Sequence, residues 1–330
     1  MNKVAFIIPY FGKLPDYFSE WIYSVSFLTE KVDFILITDD SKNTMLKSCP
    51  SNVIVMPMSF DEFRRYVQRK FDFKVSIPNA YKICDFRPAY GYIFEEILKP
   101  YSFWGNCDLD QVWGKFSNFI TPGILKKFDK ILYLGHFSLH KNSEKMRTMF
   151  MNEGGMANYK EVFSSPNFYA FDEFAGMVSI CKKNGVRTYY KQIYADIAVM
   201  QKRITLRKLP NYKRQIVYWK NGMILRSYID NNQVKTEEYI YSHFQKKHPK
   251  SIMAHIHKPD AFIIQGNRFI DISGKSITIS LINQFSDYHG DVEDRKDQVL
   301  YYFTKSVSFF KSSIADKKIW IRRKIFAKNL

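Results

Sequence analysis

The sequence predicts an α/β fold with a central, mostly parallel sheet flanked by helices. Residues 4–10 and 32–38 are apolar and rich in β-branched side chains, which is typical of strands buried on both faces. Apolar residues recur at helical spacing between Asp16 and Leu28, so the chain opens with a strand, a helix and a strand. With 330 residues, 46% of them apolar, the chain is long enough to bury a substantial core.

The next predicted elements are a third strand and a capped helix. Residues 53–58 form an apolar run of strand length. Ser59 is followed three residues later by Glu62, which is the pattern of a capping box and predicts a helix over 59–71. Asp85 is expected to cap the helix that comes after it.

Three later segments are interpreted as strands. One apolar run ends at Asp108, residues 131–139 form another, and residues 216–230 contain an Asn-Gly pair that predicts a hairpin turn. The simplest partition is one α/β domain over residues 1–290, followed by a basic amphipathic helical tail over residues 291–330.

The tail concentrates positive charge. The chain carries a formal net charge of +18, and residues 296–330 hold nine Lys and Arg against two Asp. Each such charge near an anionic membrane contributes about 1 kcal/mol at most, so we expect the tail to bind such a surface reversibly. A helix packed on its own domain is the main alternative, and a nucleic-acid-binding arm is a weaker one.

Cysteine usage and hydropathy predict an intracellular protein. The four cysteines, at positions 49, 84, 107 and 181, have no regular spacing, which is typical of reduced thiols in the cytosol. No apolar segment approaches the 18 residues that a membrane span requires. Together with the basic tail, this predicts a cytoplasmic protein associated with the inner face of the cell membrane.

Two carboxylates, Asp108 and Asp110, follow the strand that ends in this region. At a strand end the chain turns, so both side chains can converge on one point. Carboxylates held that close repel each other unless a cation lies between them, and a hard divalent cation prefers such oxygen ligands. A cation held by few protein ligands keeps positions open for the phosphates of a nucleotide.

Polar and aromatic residues also follow the first two predicted strands. Tyr10 comes at the end of the first strand, and Asp39 and Asp40 come directly after the second. Because ligands of open α/β sheets bind beyond the carboxyl ends of the strands, all three are candidate binding residues. Asp39 and Asp40 could instead cap the turn that they begin.

Lys82, Asp85 and Arg87 lie among aromatic residues just ahead of the Asp108 strand. Such residues could bind the base or ribose of a nucleotide. The alternative is that Asp85 only caps a helix and that Arg87 is a solvated residue of its first turn.

Adjacent carboxylates at Asp172 and Glu173 could orient an acceptor hydroxyl or act as its base, because burial raises a carboxyl pKa toward neutrality. Adjacent side chains point in different directions, so only one of the two is expected to enter a site. Asp196 is a weaker candidate of the same kind.

His243 and Lys246 follow a predicted strand near the end of the domain. Imidazole binds transition metals, so His243 could complete a manganese-type site with the two aspartates. Lys246 could hold a diphosphate as a point charge.

Six segments, taken in their order and spacing, resemble a family of bacterial glycosyltransferases from capsule and lipopolysaccharide gene clusters. These segments are IIPYFG, ITDD, YKICDFRPAYGYIF, FWGNCDLDQVWG, FDEFAG and SHFQKK. The resemblance covers about residues 3–260 and implies the nucleotide-sugar-binding architecture called GT-A. It implies transfer of a sugar from a nucleotide-diphosphate donor, a UDP-sugar above all, to a growing glycan that is free or lipid-linked. It also implies a divalent metal, Mn²⁺ or Mg²⁺.

The resemblance implies roles by matching position. Asp108 and Asp110 would hold metal and diphosphate, His243 would be the distal metal ligand, and Lys246 would contact the diphosphate. The nucleoside would lie near Lys82, Asp85 and Arg87.

Two other functions fit the sequence less well. A nucleotidyltransferase would need a glycine-rich basic loop after the first strand, where the chain has only Gly12 and Lys13. A nucleic-acid-binding protein would spread its charge over one groove or helix, whereas here carboxylates occupy the strand ends. No nucleic-acid partner is therefore expected.

Overall fold

The computed structural model describes residues 3–28, 31–198, 203–245, 248–253, 258–265 and 268–328. The strands are β1 Val4–Tyr10, β2 Val32–Thr38, β3 Val53–Pro57, β4 Phe103–Cys107, β5 Gln111–Trp113, β6 Lys130–Leu134, β7 Phe137–Lys141, β8 Thr188–Tyr189, β9 Ala195–Asp196, β10 Gln215–Lys220, β11 Met223–Asp230, β12 Gln233–Tyr239, β13 Tyr241–His243, β14 Ala261–Gln265 and β15 Arg268–Asp271. The α-helices are α1 Phe18–Val25, α2 Phe60–Gln68, α3 Tyr90–Ile93, α4 Glu95–Leu98, α5 Pro122–Lys127, α6 Glu144–Arg147, α7 Tyr159–Ser164, α8 Ser179–Lys183, α9 Ile279–Phe285, α10 Asp291–Lys311 and α11 Ile314–Lys328.

A seven-stranded sheet forms the centre of the fold, in the order β3-β2-β1-β4-β7-β6-β8. Only β7 runs antiparallel to its neighbours, so the predicted central, mostly parallel sheet is confirmed. Every residue of β2 is buried, because helices and loops cover both faces with large apolar clusters. This burial explains why its sequence is apolar throughout rather than alternating.

The local signals for one helix and one hairpin are confirmed. Ser59 Oγ accepts a hydrogen bond from the backbone of Glu62, whose carboxylate accepts one from the Ser59 amide at 2.8 Å, so α2 begins in a capping box. β10 and β11 pair as an antiparallel hairpin. Their turn places Asn221 and Gly222 at φ +46° and +79°, the conformation that an Asn-Gly pair adopts most readily.

The predicted helix cap at Asp85 is wrong. Asn79 caps this segment by accepting a hydrogen bond from the Lys82 amide, and Asp85 is fully buried in the middle of a 3₁₀-helical stretch, Ala80–Ala89. Pro88 lacks the amide that an α-helix would need at this point, which favours the irregular path.

The single strand predicted over residues 131–139 is also wrong, because the chain reverses within it. β6 and β7 pair antiparallel, with Gly135 and His136 in the connection and Leu132 at φ +56° in an irregular stretch of β6. The apolar run continues through the reversal because both strands are buried, so hydrophobicity alone did not reveal the turn.

Two smaller sheets complete the domain. β12, β11, β10, β14 and β15 form an antiparallel sheet, and β5, β13 and β9 form a three-stranded one. In the latter, His243 pairs with Gln111 across β13 and β5, and with Asp196 across β13 and β9. This pairing brings residues that are far apart in sequence to the end of β4.

The tail forms two helices. The start of α10 is held by the ion pairs Arg203–Asp294 at 2.5 Å and Lys213–Asp291 at 3.1 Å. α11 returns to the domain and buries Ile319 in the core beside the central sheet. Within the described ranges, no helix is both long and apolar enough to span a bilayer. The domain boundary at residue 290 stays a prediction.

Candidate metal site

Asp108, Asp110 and His243 meet at the carboxyl end of β4. Each offers one possible ligand atom, and these three atoms lie within 4.8 Å of one another. The aspartates occupy the turn between β4 and β5, and the pairing of β5 with β13 brings His243 alongside. The Phe244 amide also donates to the Asp110 carbonyl at 3.1 Å, which fixes the two segments together. The sequence-predicted trio therefore converges.

Asp110 carries an unsatisfied buried oxygen. Among the described residues, none donates a hydrogen bond to its Oδ1, and the nearest basic atom is His243 Nε2 at 3.4 Å. A buried carboxylate oxygen that accepts no hydrogen bond costs free energy, and a cation between Asp110 and His243 would bind this oxygen directly in place of its ion pair with the imidazolium. Two carboxylates and one imidazole form a donor set that suits Mn²⁺, and also Mg²⁺ with more water ligands.

His243 is oriented by Asp196. Its Nδ1 donates to Asp196 Oδ1 at 2.8 Å, which leaves Nε2 directed toward Asp110. Burial lowers the pKa of His243, but the two neighbouring carboxylates outweigh burial and raise it to about 10. Without a metal the ring is therefore charged at neutral pH, and a metal at Nε2 would displace one proton.

Arg87 links Asp108 to Asp172. Its guanidinium donates to Asp108, to Asp172 at 3.1 Å and to the Gly135 carbonyl at 2.6 Å. Burial raises the pKa of Asp108, and the neighbouring Asp110 adds to the rise while Arg87 opposes it. Burial likewise raises the pKa of Asp172 to about 7 against the effect of Arg87.

The adjacent carboxylates Asp172 and Glu173 point in different directions, as expected. Asp172 is buried and faces Arg87. Glu173 is about half exposed and pairs with Arg323 of α11 at 3.3 Å. Only Asp172 is thus connected to the aspartate pair.

A cavity of about 270 Å³ opens beside this site. Its walls include Tyr10, Arg87, Asp108 and Asp110, which the sequence predicted, and also aromatic residues that it did not single out, such as Tyr17. The volume falls just below the range of about 300–1,000 Å³ that is typical of ligand pockets.

A larger cavity, of about 710 Å³, lies between α8 and α11. Its lining includes Lys182, Lys183 and Glu153, but none of the three clustered donor residues. It is therefore separate from the candidate metal site.

Asp39 and Asp40 brace the loop that follows β1. Asp39 accepts a hydrogen bond from the Gly12 amide at 2.7 Å, and Asp40 accepts one from the Leu14 amide at 2.9 Å. Asp40 also accepts from the Asn43 side chain at 2.8 Å. Neither aspartate lines the 270 Å³ cavity as the structure describes it. They hold the loop beside the cavity in place.

Lys82 and Asp85 are buried away from that cavity. They pair at 2.8 Å, and Lys82 Nζ also donates to the Asn167 carbonyl at 2.6 Å. Asp85 accepts hydrogen bonds from the amides of Tyr169 and Phe171, both at 2.9 Å. Rather than lining the cavity, the pair holds the segment that leads to Asp172.

Lys246 lies outside the described residues. His136, which the sequence analysis missed, stacks on His243 with ring centroids 4.0 Å apart. Asp196, the weaker acceptor-side candidate, bonds the Nδ1 of His243 at 2.8 Å. His136, Asp196 and His243 are also close enough to hold a metal, although the Nδ1 of His243 and Asp196 already bond to each other. A Gly-His pair between two apolar runs is the only local signal for His136.

Residues 6–273 match the family of unknown function DUF6625. The chain belongs to this family. The DUF6625 match extends from within β1 to just beyond β15, and so contains all three sheets and the clustered donors. The helices α9, α10 and α11 follow it.

Among solved structures, this DUF6625 chain is similar to the apo form of mouse xyloside xylosyltransferase 1. The sequence identity is 8% and the TM-score is 0.33, over 60% of this chain and 88% of the mouse chain. At these values the similarity assigns neither activity nor site residues. No curated protein sequence matches the chain.

Proposed function

We propose that the protein is a metal-dependent glycosyltransferase of GT-A architecture that transfers a sugar from a nucleotide-diphosphate donor. The single observation that carries the proposal is the convergence of Asp108, Asp110 and His243 around an unsatisfied buried carboxylate oxygen. The site lies at the carboxyl end of a strand in a mostly parallel sheet, where such folds bind ligands.

In this proposal the three donors hold Mn²⁺ or Mg²⁺. When bound, the ion supplies positive charge that stabilises the diphosphate leaving group. Arg87 lies on the cavity wall and forms ion pairs with Asp108 and Asp172. Its guanidinium can therefore bind a phosphate oxygen while it stays beside Asp172. Lys246 remains a proposed diphosphate contact.

Asp172 is the proposed acceptor-side base. Its pKa of about 7, raised by burial, allows it to exist as carboxylate and to accept a proton near neutral pH. Glu173 is directed toward α11 and is the weaker of the two candidates.

A nucleotidyltransferase fits less well. Such an enzyme would bind phosphates with free amides in the loop after the first strand. Here the amides of Gly12 and Leu14 are already bonded to Asp39 and Asp40.

We also propose that α10 and α11 bind the anionic inner face of the cell membrane, near a lipid-linked acceptor of a surface glycan such as capsule or O-antigen. Val292, Val299 and Phe303 lie on one face of α10 and are 66–69% exposed. α11 contributes six Lys and Arg against one Asp. An exposed apolar face next to a basic helix is the pattern of an interfacial anchor.

Calorimetric titration with UDP, with and without Mn²⁺, tests the proposed activity. We expect binding that requires the metal and that Asp110→Asn abolishes, because this change removes a ligand charge and leaves the shape of the side chain. Asp61→Asn, an exposed position in α2, is the matched control and should bind normally. Metal-independent binding, or normal binding by Asp110→Asn, would contradict the proposal.

Vesicle flotation tests the membrane proposal. The protein should float with vesicles that contain anionic lipid and not with neutral ones, and Val299→Asp with Phe303→Asp should abolish flotation. Equal flotation of wild type and variant would contradict it.

A further inference from the structure

Tyr133, which is half-buried, forms an aromatic cluster with the exposed residues Phe174 and Tyr190. This cluster is here called the aromatic platform. The ring centroid of Tyr133 is 5.3 Å from that of Phe174 and 5.4 Å from that of Tyr190. Phe174 is 48% exposed and Tyr190 is 50% exposed. Burial of large aromatic side chains is favourable in free energy. A contiguous group of them at the surface therefore indicates a binding surface.

The aromatic platform adjoins the carboxylates of the candidate site. Phe174 directly follows Glu173 in sequence, and Tyr133 precedes the turn that contains Gly135. That turn packs closely on the carboxylates, because a Cβ at Gly135 would lie 3.0 Å from Asp172 and 3.4 Å from Glu173. A ligand on the platform would therefore lie near the segment that carries Asp172, the proposed base.

A cation completes the surface. Lys208 Nζ lies 5.5 Å from the centroid of the Tyr133 ring and 5.8 Å from that of Phe174, and it is 3.4 Å from the Tyr133 hydroxyl. Lys208 is exposed. The platform thus combines flat apolar faces with an ammonium and a phenol hydroxyl that can bond polar groups at their edge.

This combination matches the chemistry of a sugar ring. One face of a pyranose presents C–H groups, which pack on the electron-rich face of an aromatic ring. The hydroxyl groups at its rim require hydrogen-bonding partners, which Lys208 and Tyr133 supply. A lipid chain or an apolar peptide would offer the ammonium no oxygen beyond the Tyr133 hydroxyl that it already contacts.

We propose that the aromatic platform binds the terminal sugar ring of the acceptor glycan, an inference that rests on the proposed glycosyltransferase function. The ring stacks on Phe174 and Tyr190, and Lys208 bonds its hydroxyl or carboxylate groups. The platform thereby holds the acceptor near Asp172, whereas the donor occupies the 270 Å³ cavity that Arg87 lines.

Saturation-transfer NMR with a fixed saccharide panel tests this proposal. The probes are the methyl glycosides of glucose, galactose, mannose and N-acetylglucosamine, together with lactose and cellobiose, at millimolar concentration. Wild type should bind at least one of them. Phe174→Ala and Tyr190→Ala should each weaken that binding by about tenfold, because the stacking surface is lost.

Matched controls separate loss of stacking from loss of structure. Phe27 is 49% exposed and Tyr302 is 55% exposed, and both lie outside the site, so Phe27→Ala and Tyr302→Ala should leave saccharide binding unchanged. Tyr190→Phe keeps the ring and should retain binding, whereas Tyr190→Leu keeps an apolar side chain without the ring and should lose it.

Three outcomes would overturn the proposal: wild type binds no saccharide of the panel, the platform variants bind as well as wild type, or the variants change the oligomeric state without affecting saccharides. The last outcome would assign the platform to a second copy of the chain.

Titration of the same proteins with Mn²⁺ and UDP separates the two proposals. Failure of that titration removes the proposed function, whereas normal UDP binding without saccharide binding removes only the platform.

Discussion

His243 donates a hydrogen bond from Nδ1 to Oδ1 of Asp196 across 2.8 Å, and both side chains are buried. A ring held in this way has its Nε2 fixed in direction before any metal arrives. Buried partners of this kind raise the basicity of the ligand and keep it in the required tautomer.

Removal of the Asp196 carboxylate should therefore weaken metal binding without removing a ligand. We expect Asp196→Ala to lower Mn²⁺ affinity by about 10–100-fold, measured by calorimetry or by electron paramagnetic resonance. Asp230→Ala, which removes the exposed partner of Lys235, is the control and should leave the affinity unchanged. Unchanged affinity in Asp196→Ala would contradict the proposal that Asp196 prepares His243 for metal binding.

Arg87 should resist replacement by lysine. Its planar guanidinium serves Asp108, Asp172 and the Gly135 carbonyl together, and one ammonium cannot reach all three in that geometry. We expect Arg87→Lys to keep the fold but to reduce metal-dependent UDP binding by about tenfold. Calorimetry measures this change, and circular dichroism checks the fold. UDP binding at the wild-type level would exclude a phosphate contact for Arg87.

Replacement of Arg87 by glutamine should change the pH dependence of the transfer rate through the pKa of Asp172. Burial raises the pKa of Asp172 to about 7, and the guanidinium opposes that rise. Without the guanidinium the pKa should move above 7, so the pH at which the transfer rate reaches half its maximum should move upward in the variant. A pH–rate profile measures the midpoint, and a midpoint that moves downward or stays in place would contradict the assignment of Asp172 as base.

Lys130 is a buried amine that the proposed chemistry does not use, and it gives a prediction on stability. Burial lowers its pKa from 10.5 to about 8. Between these values the unfolded chain binds more protons than the folded chain, so this group makes the free energy of unfolding rise with pH. Lys130→Met removes that contribution, which we expect to be about 2 kcal/mol between pH 7.5 and 9.5.

Urea unfolding of both proteins at these two pH values measures the effect. The difference between wild type and Lys130→Met isolates Lys130, since the other titrating groups are common to both. Equal pH dependence in the two proteins would mean that Lys130 is charged in the folded state throughout this range.

Gly105, in the strand that leads to Asp108, should not tolerate a side chain. A Cβ at this position would lie 2.1 Å from the Ser138 carbonyl oxygen of the neighbouring strand, so β4 and β7 would have to separate. We expect Gly105→Ala to lower the free energy of unfolding by about 1–3 kcal/mol. Gly123→Ala is the control, because its Cβ would meet only Thr121 Oγ1 at 3.7 Å and should change stability by less than about 0.5 kcal/mol. Equal stability of the two variants would contradict the close packing of β4 on β7.

Elements whose signals are local were predictable from the sequence. The capping box at Ser59 and the turn at Asn221 depend on side chains within a few residues, and both are confirmed. The Asp108 and Asp110 pair was also found, because a strand end brings neighbouring side chains together.

Residues whose surroundings come from distant segments were harder to assign. Lys82 and Asp85 are charged residues of the types that often bind ligands. They are nevertheless buried by the segment near Asn167 and Tyr169, which is far along the chain. His136 lies in the strand reversal after Leu134, and the apolar sequence around it gives no sign of that turn. Polar residues reveal a role only with their partners, and those partners are set by tertiary packing.

The pairing of β5 with β13 has a consequence for biosynthesis. Asp108 and Asp110 leave the ribosome early, whereas His243 emerges only after the hairpin of β10 and β11 has been made. The complete donor set therefore exists only when most of the DUF6625 region has been synthesised and folded. A cation bound by all three residues would stabilise the complete native state relative to any nascent intermediate. Metal binding would therefore stabilise the fold at a late stage of folding, in addition to its part in the proposed chemistry.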